Sequence, residues 1–79
     1  MTTFNSAAAT AIKATANGAT SAGAVSVPGL AVGDVLMVAD PPGFAQGFEE
    51  IVSVANELQQ TAALDWSTVD FTFYLLRGV

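Results

Sequence analysis

The stretch SVPGLAVGDVLMVADPP, Ser26 to Pro42, decides how this chain is read. Pro28 fixes φ for the second position of a turn, and Gly29 accepts the positive φ that a type II turn requires next. Val27-Pro28-Gly29-Leu30 therefore joins two apolar runs tightly. Gly33 and Asp34 reset the backbone before Val35-Leu36-Met37-Val38-Ala39. Asp40-Pro41-Pro42-Gly43 ends that run, because two successive prolines cannot donate to a ladder. The stretch reads as a strand, a tight turn and a second element, with Pro28, Gly29, Gly33 and Asp34 as its structural turn residues. It predicts a small β domain and carries no chemistry of its own.

Outward from this stretch the same reading continues. Asn5 or Ser6 can cap a short helix through Ala7 to Ala16. The β-branched Thr10, Ile12 and Thr15, and the alternation they take part in, favour instead an extended arm that ends in a strand. Asn17-Gly18 is a hairpin-type turn signal, and Val25 and Val27 then alternate with Ala24 and Ser26. Glu49-Glu50 opens a strand through Val54, Ala55-Asn56 is a turn, and Glu57 to Ala62 returns as a polar, edge-like strand. Leu64 to Ser67 is a connection anchored by Trp66. Phe71 to Arg77 is the clearest strand, with Phe71, Phe73 and Leu75 on one face. About six short strands at regular spacing imply an all-β fold, a small antiparallel β-sandwich or open barrel. Residues 1–16 are read as the N-terminal arm, helix or strand, and residues 17–79 as one β domain.

Composition narrows the classes of function. At 79 residues the chain is near the size where one core barely outweighs the entropy of ordering it, so support from a metal, a disulfide or a partner subunit is expected. Cysteine and histidine are both absent, which removes the disulfide and the usual transition-metal ligands and leaves association with other subunits. Charged residues make up 11% of the chain, against about a quarter in ordinary domains. Apolar residues make up 52%. Fifteen of these are alanines, which need no burial, but broad neutral and apolar surface still remains, and such surface marks contacts with other proteins. In Val35 to Ala39 both faces of the alternation are apolar, so the strand is expected to be covered on both sides, one cover being a neighbouring subunit.

The net charge of −5 rests on seven acids against Lys13 and Arg77. Two isolated bases cannot neutralise a run of phosphates or hold an anionic membrane surface. The first 16 residues lack the basic opening of an export signal and are expected to be retained. Without His or Cys the common nucleophile–base pairs cannot be built, and adjacent Glu49 and Glu50 point to opposite faces of a strand rather than converging. Asp34 and Asp40 sit beside turns, where Asp bonds local backbone. No catalytic residue, cofactor or metal is expected. The uncharged, glycine-bounded loop Gly43 to Phe48 stands out: Phe44, Gln46 and Phe48, with Trp66, are the candidate partner interface. The opposing reading has both phenylalanine rings capping the protein's own core.

The succession NGATSAGAVSVPGLAVGDVLMV, a Pro-Pro-Gly loop, then IVSVANELQQTAALDWSTVDFTFYLLRG resembles a small β domain of tailed-phage virion proteins. Its signature is a Val-Pro-Gly turn, Gly-Asp-x-Val, a later Val-Ser-x-Ala-Asn segment and a closing aromatic strand ending near an Arg. The match covers about Asn17 to Arg77. The resemblance implies a non-enzymatic structural protein on the outer surface of the virion, made in the host cytoplasm and bound to the major capsid protein or another virion protein. Because here the domain stands without a shaft, a capsid decoration or cement protein is expected ahead of a tail or fibre component. By analogy with sandwiches at capsid threefold sites, a trimer is the expected homo-oligomer. A third reading, a carbohydrate-binding domain, would use Trp66, Tyr74 and the acids.

Overall fold

In the computed structural model, which describes residues 9–78, five strands run β1 Thr10–Asn17, β2 Gly23–Ser26, β3 Val35–Asp40, β4 Glu57–Gln60 and β5 Asp70–Arg77. A short 3-10 turn, Ala45–Gly47, lies between β3 and β4. The two-residue alternation of β5 places Phe71, Phe73 and Leu75 on one side, where all three are fully buried. Central position follows from that burial. β1 pairs antiparallel with β5 from Thr10↔Arg77 to Asn17↔Asp70, and β3 pairs antiparallel along its other edge, giving a sheet of order β1-β5-β3. β2 and β4 form a second antiparallel sheet.

Between the sheets lies a core of apolar side chains, with Gln60 of β4 buried beside it. Val25, Val27 and Leu58 come from the smaller sheet, Ala39, Phe71, Phe73 and Leu75 from the larger, and Leu30, Phe48 and Val52 from the segments between. Ile12, Ala14 and Ala16 of β1 pack against it, so the alternation of this segment is that of a half-buried strand. The fold is the expected small antiparallel all-β sandwich.

Three expectations are corrected. The helix alternative for residues 7–16 fails from Thr10 onward: as β1, Thr10–Asn17 pairs with β5 along its whole length, so the strand reading of this segment holds there. Its first residues, including the candidate caps Asn5 and Ser6, lie outside the described residues. Asn17-Gly18 does not close a hairpin, because β1 and β2 belong to different sheets. Gly18 N–H instead donates to Trp66 O at 3.1 Å, and Trp66 N–H donates to Ala19 O at 2.9 Å, which steers the chain across. Of the strand expected at 49–54 one isolated bridge remains, Val35↔Ile51, with a second, Phe48↔Gln60, just before it. The cause is that this segment crosses between the sheets. Glu49 N–H donates to Gln59 O of β4, and one residue later Glu50 O accepts from Leu36 N–H of β3. Where the segment leaves β4, the Glu49 carboxylate takes over, accepting from Gln59 N–H at 2.7 Å.

The loop phenylalanines close the core. Phe48 lies edge-on to Phe71 and Phe73, with ring centroids 5.1 and 4.9 Å apart, and Phe44 lies edge-on to Phe71 at 5.2 Å and to Trp66 at 4.9 Å. Gly47 permits this, since a Cβ there would run into Cη2 and Cζ3 of the Trp66 indole. Phe48→Ala should therefore cost about 3–5 kcal/mol of fold stability. In a domain of this size that lowers Tm by more than about 12 °C. Thermal unfolding followed by circular dichroism checks it, and a Tm within a few degrees of the parent would show that the ring is dispensable to the core.

Candidate interaction surface

The turn residues singled out in the sequence converge at one end of the molecule. Gly29 adopts φ +99°, as the type II turn demands, and Leu30 N–H donates to Val27 O at 3.4 Å. Asn56, in the left-handed region that Asn tolerates, accepts from Gly29 N–H through Oδ1 at 2.9 Å. Its backbone exchanges two more bonds with the same turn, accepting from Val27 N–H at 2.9 Å and donating to Leu30 O at 2.8 Å. Gly33, also at positive φ, donates to Val52 O, and Val52 N–H donates to Asp34 O, both at 2.9 Å.

Asp34 is the pivot of this end. Its side chain is 1% exposed and accepts from Ala31 N–H at 2.9 Å, the local backbone bond expected of it. The chain also brings Arg77 to it from 43 residues away, Nε donating to Oδ1 at 2.9 Å and Nη2 to Oδ2 at 2.8 Å. Nη2 also donates to Gly29 O at 2.7 Å, so one guanidinium joins β5 to both turns. The Arg77 hydrogen bonds hold the Asp34 carboxyl below the usual carboxylate range against the opposing effect of burial, and the Ala31 N–H acts in the same direction. Arg77 in turn is held above its ordinary value, chiefly by Asp34. This role for Arg77 and Asp34 is architectural.

The expected interface loop is redistributed. Phe48 is buried in the core, as the core-capping reading has it, and Phe44 is half-buried against Trp66 and Phe71. Trp66 is half-buried with them, its indole between Gly47 and the phenylalanines. Gln46 alone of the four is exposed, beside an open depression of about 330 Å³ lined by Leu36, Ala45, Gln46, Phe48 and Glu50. Trp66 packs on the inner face of the larger sheet while Tyr74 projects from its outer face, so the two do not build one sugar platform.

What remains open is that outer face. Opposite the buried side of β5 stand Thr72, Tyr74 and Leu76. Leu76 is flanked by Ala11 and Val35, Tyr74 by Lys13 and Val38, and Thr72 by Thr15 and Asp40. Ile51 continues the first row through its bridge to Val35, and Met37 sits at the irregularity between Leu36 and Val38. Met37, Val38, Ile51 and Tyr74 are 55%, 52%, 56% and 41% exposed. The expectation for β3 is thus met on one side, by Leu36 and Ala39 on the core, while the outer side has no cover among the described residues.

Among the described residues no three His, Cys, Asp or Glu side chains are placed to hold a metal ion, and no helix is long and apolar enough to cross a membrane. Compared with protein-family models, with curated proteins and with solved structures, the chain finds no match in any of the three.

Two outcomes follow from the turn end. Gly29→Val meets open space but a forbidding φ, and should cost about 1–3 kcal/mol; an unchanged Tm would show that the turn is not held in this form. Because folding lowers the Asp34 pKa, the stability it contributes is complete above the unfolded value near 4 and is lost as pH falls through the lower folded value. Tm should therefore drop below about pH 4, with Asp65, held low by the Ser67 hydroxyl, acting in the same direction. Asp34→Asn should start lower at neutral pH and lose less on acidification. Identical acid profiles for the two proteins would refute the role of the ion pair.

Proposed function

We propose that this chain is a non-enzymatic structural protein of a tailed-phage particle, of the capsid decoration or cement class, which adds to the outer shell and stabilises it. The observation that carries the reading is the open outer face of the β1-β5-β3 sheet. It presents Val38, Tyr74, Leu76 and Ile51 side by side, with Lys13, Asp40 and Asp70 at its margins. A sheet face left this apolar on a domain this small serves contact with other protein. The residues that carry the family resemblance support the same reading: the Val-Pro-Gly turn, Gly33-Asp34, Ser53-Val54-Ala55-Asn56 and Arg77 belong to one end of the fold, where they fix loops rather than form a reactive site.

The test is made on particles of the phage or prophage that encodes the chain. The protein is expected in purified particles in many copies, labelled by antibody over the head. Purified protein added to particles lacking it should raise the temperature at which the head releases its DNA. Val38→Glu, which leaves the core untouched, should abolish this occupancy with Tm unchanged. Absence from purified particles would overturn the proposal, and labelling confined to the tail would move the chain to the tail or fibre class.

A further inference from the structure

Strand register determines where charge sits on the open face. Lys13 on β1 projects outward in the row that runs through Tyr74 to Val38. Asp40 on β3 projects outward in the next row, through Thr72 to Thr15. The face therefore has a cation on one edge strand, an anion on the other and an aromatic ring on the strand between. A third charge, Asp70, stands at the end of β5, where its Oδ1 already accepts from Asn17 Nδ2 at 2.8 Å. The row Ala11, Leu76, Val35, Ile51 carries no charge.

The geometry points to a second copy of this chain as the occupant of the face, related by a two-fold axis that runs along β5; the inference rests on the reading of this face as an assembly surface. Identical sheets can stack face to face about an axis across the strands or along them. An axis across the strands lays β1 on β1 and β3 on β3, which sets like charge against like at both edges. An axis along β5 lays each β1 over the β3 of the other copy. Lys13 then stands above the partner's Val38, one row from the partner's Asp40, a step of about 6.6 Å along the strand. The flexible stem of lysine spans it across sheets about 10 Å apart. By symmetry the pair forms twice, Tyr74 meets its counterpart near the axis, and Asp70 meets its own at the open end of β5, where Asn17 Nδ2 already donates to each carboxylate.

Size sets the strength. Two strands of eight residues and one of six, about 4.8 Å apart, make a face of at most roughly 14 by 26 Å. That is small beside the ~800 Å² per partner of a standard interface. Ile51 and Met37, on the β3 side, have to join the contact, and association in the micromolar range follows. The charge layout thus favours a twofold pair over the threefold that analogy implies.

Sedimentation of the full chain from low micromolar to near-millimolar concentration tests this. The parent is expected to dimerise. Lys13→Glu or Asp40→Lys alone should weaken the dimer about tenfold or more, since two attractive pairs become two repulsive ones. The double variant Lys13→Glu/Asp40→Lys should recover to within about threefold of the parent. Both positions are exposed, and circular dichroism of each variant confirms that the monomer is folded. A monomer at every concentration, a trimer, or a dimer that neither single reversal weakens would overturn the inference. A monomeric chain that still occupies particles, and loses that on Val38→Glu, would overturn the two-fold pair and leave the proposed function standing.

Discussion

One alternation holds this fold together. β5 is the strand with neighbours on both edges, and its odd residues Phe71, Phe73 and Leu75 are the part of the core that every other element meets. β1 and β3 pair to its edges, the β2–β4 sheet covers its buried side, and the Phe44 and Phe48 rings close the end nearest Phe71. Slipping β5 by one residue would exchange Phe71 and Phe73 for Thr72 and Tyr74, so register here is set by burial rather than by a turn. That explains why Asn17-Gly18, a turn signal by composition, is overruled. The pairing of β1 with β5 joins residues more than 50 positions apart, and no local turn can compete with it.

With so small a core, the loops are held by polar groups placed where backbone would otherwise be buried unpaired. Gln60, on β4 and itself buried, accepts from Ala19 N–H at 2.8 Å and donates to Ala62 O and Leu64 O at 2.9 and 2.8 Å. One carboxamide thereby ties the β1–β2 and β4–β5 connections together. Asp34 and Arg77 do the corresponding work at the other turns, and among the described residues no buried side-chain nitrogen or oxygen lacks a partner. An ion pair whose carboxylate alone is buried, as here, is no strong source of net stability. Its value here is that a fork of donors fixes three segments at once, which packing of short apolar side chains does not.

Much of this is legible in the sequence where the signal is local. The Val27–Leu30 turn, the positive φ of Gly29, the Asn56 turn and the inward face of β5 follow from residue types at fixed spacing. The long-range partners are not. Nothing near Asp34 announces Arg77, and a glutamine in a polar run gives no sign that Gln60 is buried. The 48–52 segment has the composition of a strand, but its hydrogen bonds are divided between two sheets, because it crosses from β4 to β3. The loop phenylalanines mislead for a related reason. Uncharged aromatics between glycines look available to a partner, yet Gly47 has lost its side chain so that Trp66 and the two rings can pack inward. The open face was half visible, as the two-sided apolar run of β3; its continuation through Tyr74, Leu76 and Ile51 needed the register.

The same larger sheet thus has two apolar sides, and only one has its cover within the described residues. A chain with 11% charged residues has few means of making the second side soluble, and of the three charges on it Lys13 and Asp40 stand on the edge strands and Asp70 at the very end of Tyr74's strand. Charges at a margin steer and orient an approaching surface while sparing the centre the cost of desolvating them. The core residues are committed to the fold and the outer-face residues are not, so the chemistry of the outer face is separable from the packing of the core on one three-stranded sheet.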